Sequence, residues 1–231
     1  SATGPIKLTS GEIIDSKNVV EKTLSTAYSR FENENNLRKE YLVGIFKATY
    51  QKLQSGEFSK ISAIKAVAKS LHENRILVGF NDNVLERKII NSRISGNLNF
   101  SKSNEFRSVV INTSGNKLDY YLDRRIKIET TSCGKHTGIE MSLTLTNTVP
   151  KSSKLPSYVQ GRLDLRKVEG VAGGHGLTLL IYGPKNFEFT SILRSQSEDS
   201  SVEFAEELGR PIALFRVDLA ARESETFLIK G

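Results

Sequence analysis

The hydrophobic period of this chain changes once, from about 3.6 residues to about 2, and few folds accommodate both in that order. In the first half Val19, Val20, Leu24, Ala27, Tyr28 and Phe31 fall on one helical stripe, with Asp15 or Ser16 placed to cap it. After the polar break Glu32–Asn36, a longer helix carries Leu37, Tyr41, Leu42, Ile45, Phe46, Thr49 and Leu53 on one face, and Gly56 suits its stop. Ser59 is placed to cap a third helix with the stripe Ile61, Ile64, Val67, Ala68 and Leu71. The run Arg75–Phe80 reads as a short strand, and Asn81 or Asp82 opens a fourth helix over 82–92. Ahead of all these, Pro5–Ile14 reads as one or two short strands around the Ser10-Gly11 turn.

In the second half the apolar residues alternate. Tyr120, Leu122, Ile126 and Ile128 face one way, with Arg124 the one break in that row. Ile139, Met141, Leu143 and Leu145 form a buried face backed by a wet face rich in Ser and Thr. Further strands are expected at 106–112, 157–163, 176–183, 187–194, 201–205, 210–219 and 224–229. Turn signals at Ser114-Gly115-Asn116, Gly134, Gly173-Gly174, Gly183-Pro184 and Gly209 separate them. The expected fold class is α+β. A helical α/β N-terminal part, residues 1–100, precedes an antiparallel immunoglobulin-like β-sandwich, residues 101–231, with the boundary in the polar stretch 92–104. The chain has no Trp, so it lacks the Cys…Trp…Cys hallmark of antibody domains.

Composition narrows the function classes. At 38% hydrophobic and 26% charged residues, disorder, collagen and coiled coil are excluded. No apolar run approaches the roughly 20 residues of a spanning helix, and the start Ser1–Pro5 carries no signal-peptide pattern, so neither is expected. One cysteine excludes a disulfide scaffold and leaves the redox compartment open. The net charge is +7, and residues 1–100 hold 15 basic against 10 acidic groups. Such a surface can meet nucleic acid, an anionic membrane or an anionic glycopolymer. No Lys/Arg run exceeds two residues and no base-reading motif is present, so nucleic acid is not an expected partner.

Catalytic patterns are absent from the sequence: there is no Gly-x-Ser-x-Gly elbow and no His-Glu-x-x-His. Cys133-x-x-His136 lacks two further ligands for a closed zinc site, and Gly173-x-x-Gly176 lacks the Lys-Ser/Thr end of a phosphate loop. Neither a metal nor a cofactor is expected. The polar cluster Asn112, Asn116, Lys117, Asp119, Tyr120 and Tyr121, followed by Arg124 and Arg125, has two readings. It is a patch for an anionic or sugar ligand, with Tyr faces to stack and Arg forks for phosphate. Alternatively, its Asn and Asp residues hold turns while its tyrosines pack.

The stretch Asn112-Thr113-x-x-Asn116-Lys117-x-Asp119-Tyr120-Tyr121-Leu122 resembles a motif of the bacterial family called domain of unknown function 4012. So do Ser142-Leu143-Thr144-Leu145-Thr146-Asn147-Thr148 and Leu155-Pro156-Ser157-Tyr158-Val159-Gln160-Gly161. Upstream, Thr3-Gly4-Pro5-Ile6 and Asp15–Val20 match in the same order. The resemblance implies a protein found mainly in Gram-positive bacteria, anchored by an N-terminal transmembrane helix that this chain lacks, with its bulk outside the cytoplasm. No activity is assigned to that family. The helical half is distantly similar to the second half of LytR-CpsA-Psr proteins, which transfer glycopolymers from a pyrophosphate lipid to the wall. Arg38 is the nearest counterpart of their pyrophosphate-holding residues, with Lys39 and Arg75 as further candidates. That family's Arg-Gln-Gln pattern is not matched, and the segment bearing most of its catalytic residues is absent.

Two functions follow as expectations. The first is a non-catalytic extracytoplasmic module that binds an anionic cell-wall polymer or an envelope protein. The alternative is the C-terminal part of a LytR-CpsA-Psr-like phosphotransferase. The sequence leaves the oligomeric state open.

Overall fold

Alternation in the second half builds two antiparallel sheets, and the helical stripes of the first half build a separate, smaller core. The computed structural model describes residues 3–96, 105–133, 136–150, 155–164, 172–199 and 201–231. The chain divides into two compact units, Ser1–Asn99 and Phe100–Gly231, and the fold as a whole is mixed α+β. Most of the expected boundary stretch 92–104 lies outside the described residues. Among the described residues no helix is long and apolar enough to cross a membrane.

In the first unit β1 (Ile6–Lys7) and β2 (Ile13–Ile14) pair antiparallel around Ser10-Gly11. Two helical turns follow, α1 (Val19–Glu21) and α2 (Ala27–Arg30), joined by the π-helical turn Lys22–Thr26. The expected single helix is thus interrupted. The Thr23 hydroxyl donates to the Val19 carbonyl at 2.6 Å, inside the turn where the hydrogen-bonding pattern widens. The long helix α3 (Asn35–Ser55) stops at Gly56, whose φ of +67° is the left-handed cap conformation that glycine adopts without strain. Helix α4 (Lys60–His72) is capped by Ser59, and α5 (Asn83–Ile89) by Asp82, whose carboxylate accepts from the Val84 and Leu85 amides at 2.8 and 2.9 Å. Ile6, Leu8, Ile14 and Ile45 form the core, with Val19, Tyr41 and Ala48 against it. The strand expected at 75–80 is not formed. The Val78 amide donates to the Ile94 carbonyl at 2.7 Å, and among the described residues no neighbouring strand extends that pairing.

In the second unit one sheet has the order β3 (Arg107–Asn112), β6 (His175–Tyr182), β10 (Arg210–Leu219), β9 (Glu203–Glu207). The other has the order β4 (Leu122–Cys133), β5 (His136–Asn147), β11 (Ser224–Lys230), β7 (Ser191–Arg194), β8 (Ser197–Glu198). Both sheets feed one core: Met141, Leu143 and Leu145 of β5, Phe227 and Ile229 of β11, Leu177, Leu179 and Ile181 of β6, and Phe215 and Val217 of β10. The Phe215 and Phe227 rings meet at 4.9 Å between centroids. On the opposite face of β5 the Ser/Thr row pairs across to β11, Thr144 with Thr226 at 2.8 Å and Thr146 with Ser224 at 2.7 Å.

Two expectations are corrected here. Residues 157–163 are not a strand, because Ser157–Gln160 form a one-turn helix, α6, opened by Pro156. The Pro156 carbonyl accepts from the Val159 and Gln160 amides, so the Pro start overrides the strand propensity of Tyr158 and Val159. The apolar row of β4 is not buried beyond Leu122: Ile126 and Ile128 are exposed, because β4 is an edge strand. Arg124 explains the break in that row. It sits opposite Leu145 and reaches β3 of the other sheet, donating to the Ser108 carbonyl at 3.3 Å and its hydroxyl at 3.2 Å. The guanidinium therefore links the two sheets at the surface.

Phe227→Ala is expected to cost about 3–5 kcal/mol of unfolding free energy, against about 0.5 kcal/mol or less for Ile128→Ala. Urea unfolding of both variants measures the difference, and equal costs would contradict the placement of the core.

Candidate functional site

The predicted cluster lies where β3 ends and turns toward β4. The Asn112 amide donates to the Asn116 carbonyl and Oδ1, both at 3.1 Å, and to Asp119 Oδ2 at 2.8 Å. Its own Oδ1 accepts from the Ser114 amide at 3.1 Å and hydroxyl at 2.9 Å. Asn116 is buried and donates to the Gly174 carbonyl at 2.9 Å. The Lys117 amide donates to the Val159 carbonyl at 2.9 Å, and its ammonium stands 6.0 Å from the Tyr158 ring centroid. Tyr120 and Tyr121 meet edge to face at 5.0 Å, and the Tyr121 carbonyl accepts from the Thr148 amide and hydroxyl, both at 2.7 Å. Asn112, Asn116 and Asp119 thus form one network, bordered by Lys117 and the two tyrosines. Arg124 is engaged with Ser108, and the exposed Arg125 pairs with Asp123 at 3.3 Å.

Three residues absent from the sequence-based list complete this end of the unit. Asn147, fully buried, donates to the Gly173 carbonyl at 2.7 Å and the Leu219 carbonyl at 3.2 Å, and accepts from the Val149 amide at 3.2 Å. Arg162 is held by Asp164 at 2.8 and 2.6 Å and by Asp218 at 2.6 Å, and these hydrogen-bonded carboxylates, Asp164 first, push its pKa up. It packs on Gly176, where a Cβ would come within 2.6 Å of Nη2 and 3.0 Å of Cζ, so a larger residue would push the guanidinium aside. A pocket of about 340 Å³ opens here, lined by Thr113, Arg162, Asp164, Gly176, Arg216 and Asp218, with its charges balanced. The third residue, His175, is fully buried with neither ring nitrogen hydrogen-bonded, and Asp119 Oδ1 stands 3.7 Å from Nε2. Burial pushes its pKa below the ordinary 6.5; Asp119 pulls the other way and Arg162 adds to the lowering. The Arg162-x-Asp164 spacing was the one available signal for this group.

The first unit holds Arg38 and a second candidate site. Arg38 is buried on α3, its guanidinium over the Tyr28 ring at 4.8 Å and bonded to Asn35 at 2.5 Å. Lys39 and Arg75 are exposed, and Arg75 pairs with Glu73 at 2.7 Å. A groove of about 500 Å³ runs between the β1–β2 hairpin and the faces of α2 and α3. Leu8, Phe31, Tyr41, Gly44 and Ala48 give it apolar walls, and Lys7, Arg30 and Lys47 stand on it against the single acid Glu40. Arg30 is positioned by Glu12 at 3.0 Å, which also holds Lys22 at 2.9 Å, and its guanidinium lies over Phe31 and Tyr41 at 5.2 and 5.5 Å. These two cations, Lys22 first, keep the Glu12 carboxyl below its usual range despite some desolvation, so it stays ionised. The groove residues come from three separate elements, and apart from the basic excess of residues 1–100 nothing in the sequence joins them. Among the described residues no cluster of three or more His, Cys, Asp or Glu is arranged to hold a metal.

Two outcomes test the second-unit network. Asn147→Ala strands two buried carbonyls and is expected to cost about 2–5 kcal/mol, measured by urea unfolding. Because His175 binds its proton less readily in the folded state, stability is intact above the unfolded pKa near 6.5 and falls as pH drops below it toward the lowered folded value. His175→Leu is expected to flatten that stretch of the stability–pH curve; an unchanged slope would show that His175 does not cause it. Compared with known proteins, the chain matches no family model, no curated protein and no solved structure, so the functional reading rests on these residues and their geometry.

Proposed function

We propose that this chain is the extracytoplasmic part of a membrane-anchored bacterial envelope protein and that it binds an anionic cell-wall glycopolymer without altering it chemically. The ordered motifs from Thr3 to Gly161 support the cellular setting by resemblance. The observation that carries the binding reading is the groove of the first unit. Its cations Lys7, Arg30 and Lys47 suit the phosphates or carboxylates of such a polymer, and the Phe31 and Tyr41 rings suit sugar or polyol faces between those charges. Arg30 is already fixed by Glu12, so little side-chain freedom is lost when a ligand arrives.

The second unit, in this reading, is an immunoglobulin-like sandwich serving as a rigid platform. Two antiparallel sheets around one core support the sandwich. The strand order is a variant: β10 and β11 lie in different sheets, whereas the last two immunoglobulin strands share one.

A thermal-shift titration tests the reading. Purified anionic wall glycopolymer is expected to raise the melting temperature in a dose-dependent and salt-sensitive way, while a neutral polysaccharide does not. Lys7→Ala with Lys47→Ala should weaken binding about ten-fold or more, and Arg125→Ala should leave it unchanged. No shift with polymer contradicts the proposal. A shift with a polyprenyl pyrophosphate head-group analogue that exceeds the polymer's would favour the LytR-CpsA-Psr-like phosphotransferase instead.

A further inference from the structure

Helix α4 is amphipathic yet buries none of its residues. Ile61, Ile64 and Val67 are 68%, 70% and 50% exposed and, with Leu71, form one stripe at helical spacing. The charge on the helix is all of one sign: it carries Lys60, Lys65 and Lys69, and residues 60–72 contain no Asp or Glu. Lys65 and Lys69, one turn apart, run along one edge of the stripe. Glu73 meets Lys69 at 3.7 Å, but just past the last turn. The helix is preformed, its first turn closed by the Ser59 hydroxyl accepting from the Ser62 amide at 3.2 Å. Downstream, residues 73–96 leave Leu77 and Val84 exposed as well, and the whole segment 60–96 carries seven Lys/Arg against three Asp/Glu.

A continuous exposed apolar stripe on a folded unit marks a contact surface. Charge decides what covers this one. A second copy docking through the same face would bring lysines against lysines, with no carboxylate on the helix to answer them. An anionic lipid surface supplies both complements: the acyl boundary takes the branched side chains, and the phosphates take the ammonium groups at the ends of their flexible stems. We propose that α4 is a membrane-surface helix that lays the Ile61–Ile64–Val67 stripe into the interface of an anionic bilayer, with Lys65 and Lys69 on the head-group phosphates. This contact is independent of the polymer groove and of any spanning anchor.

Vesicle co-sedimentation of the whole chain tests it, with vesicles of phosphatidylcholine alone and of phosphatidylcholine mixed with phosphatidylglycerol. The chain is expected to sediment with the anionic vesicles only, and less so as salt rises. Ile61→Ser with Ile64→Ser should lower the partition about ten-fold or more with an unchanged melting curve, since neither side chain belongs to a core. The chain has no tryptophan, so Ile64→Trp gives a single reporter whose emission should shift to the blue on anionic vesicles. Absence from both vesicle pellets overturns the proposal, as does equal binding to both compositions or binding that the serine variant leaves intact. A dimer in sedimentation equilibrium that the serine variant dissolves, with no vesicle binding, also overturns it and assigns the face to a second copy.

Discussion

Two buried asparagine amides close one end of the second unit, and the strands around them depend on that closure. Asn147 takes the Gly173 and Leu219 carbonyls, and Asn116 takes that of Gly174. These carbonyls lie at the ends of the ladders, where β6 begins and β10 ends, and burial without a partner would make each one costly. Because Asn147 is the last residue of β5 and Asn116 follows β3, the two amides tie elements of both sheets to one glycine-containing loop. Gly176 then leaves room for Arg162, whose two carboxylate partners lie on either side. At the opposite edge of the inner rows, Arg124 bridges the sheets by a polar route. The apolar core supplies the bulk of the burial, while these polar ties specify where strands start and stop.

That division of labour explains what the sequence made legible. Period and caps located α3, α4 and α5, including the stop at Gly56 and the start at Ser59, since those signals are local, and the structure decides for Asp82 over Asn81 as the cap of α5. The alternation in β5 and β10 is equally local, each strand having one face in the core. Where the outcome depended on neighbours, local pattern failed. Ile126 and Ile128 alternate correctly but sit on an edge, and 75–80 has strand composition but, among the described residues, no strand beside it. Pro156 gave a turn where Tyr158 and Val159 favoured a strand. The cluster from Asn112 to Tyr121 was legible as a group, and its main contacts tie down turns. Its partners Gly174 and His175 are remote in sequence and carry no spacing signal.

The groove of the first unit was not legible for the same reason. Lys7, Arg30 and Lys47 converge only because the short hairpin packs against the helical segment, and the Glu12–Arg30 pair fixes the central cation over two aromatic rings. A cationic groove with apolar walls suits an anionic ligand that also presents apolar faces. The function proposed for the chain follows from that property.

The most direct measurement of this central claim is a two-dimensional amide NMR titration of the isotopically labelled chain with a short, defined polyol-phosphate oligomer. The account predicts saturable shifts confined to the groove, at Lys7, Ser10, Arg30, Tyr41, Lys47 and Gln51, with the amides of 105–231 unmoved. Shifts centred on the network from Asn112 to Tyr121, or no saturable shift at the groove, would contradict it.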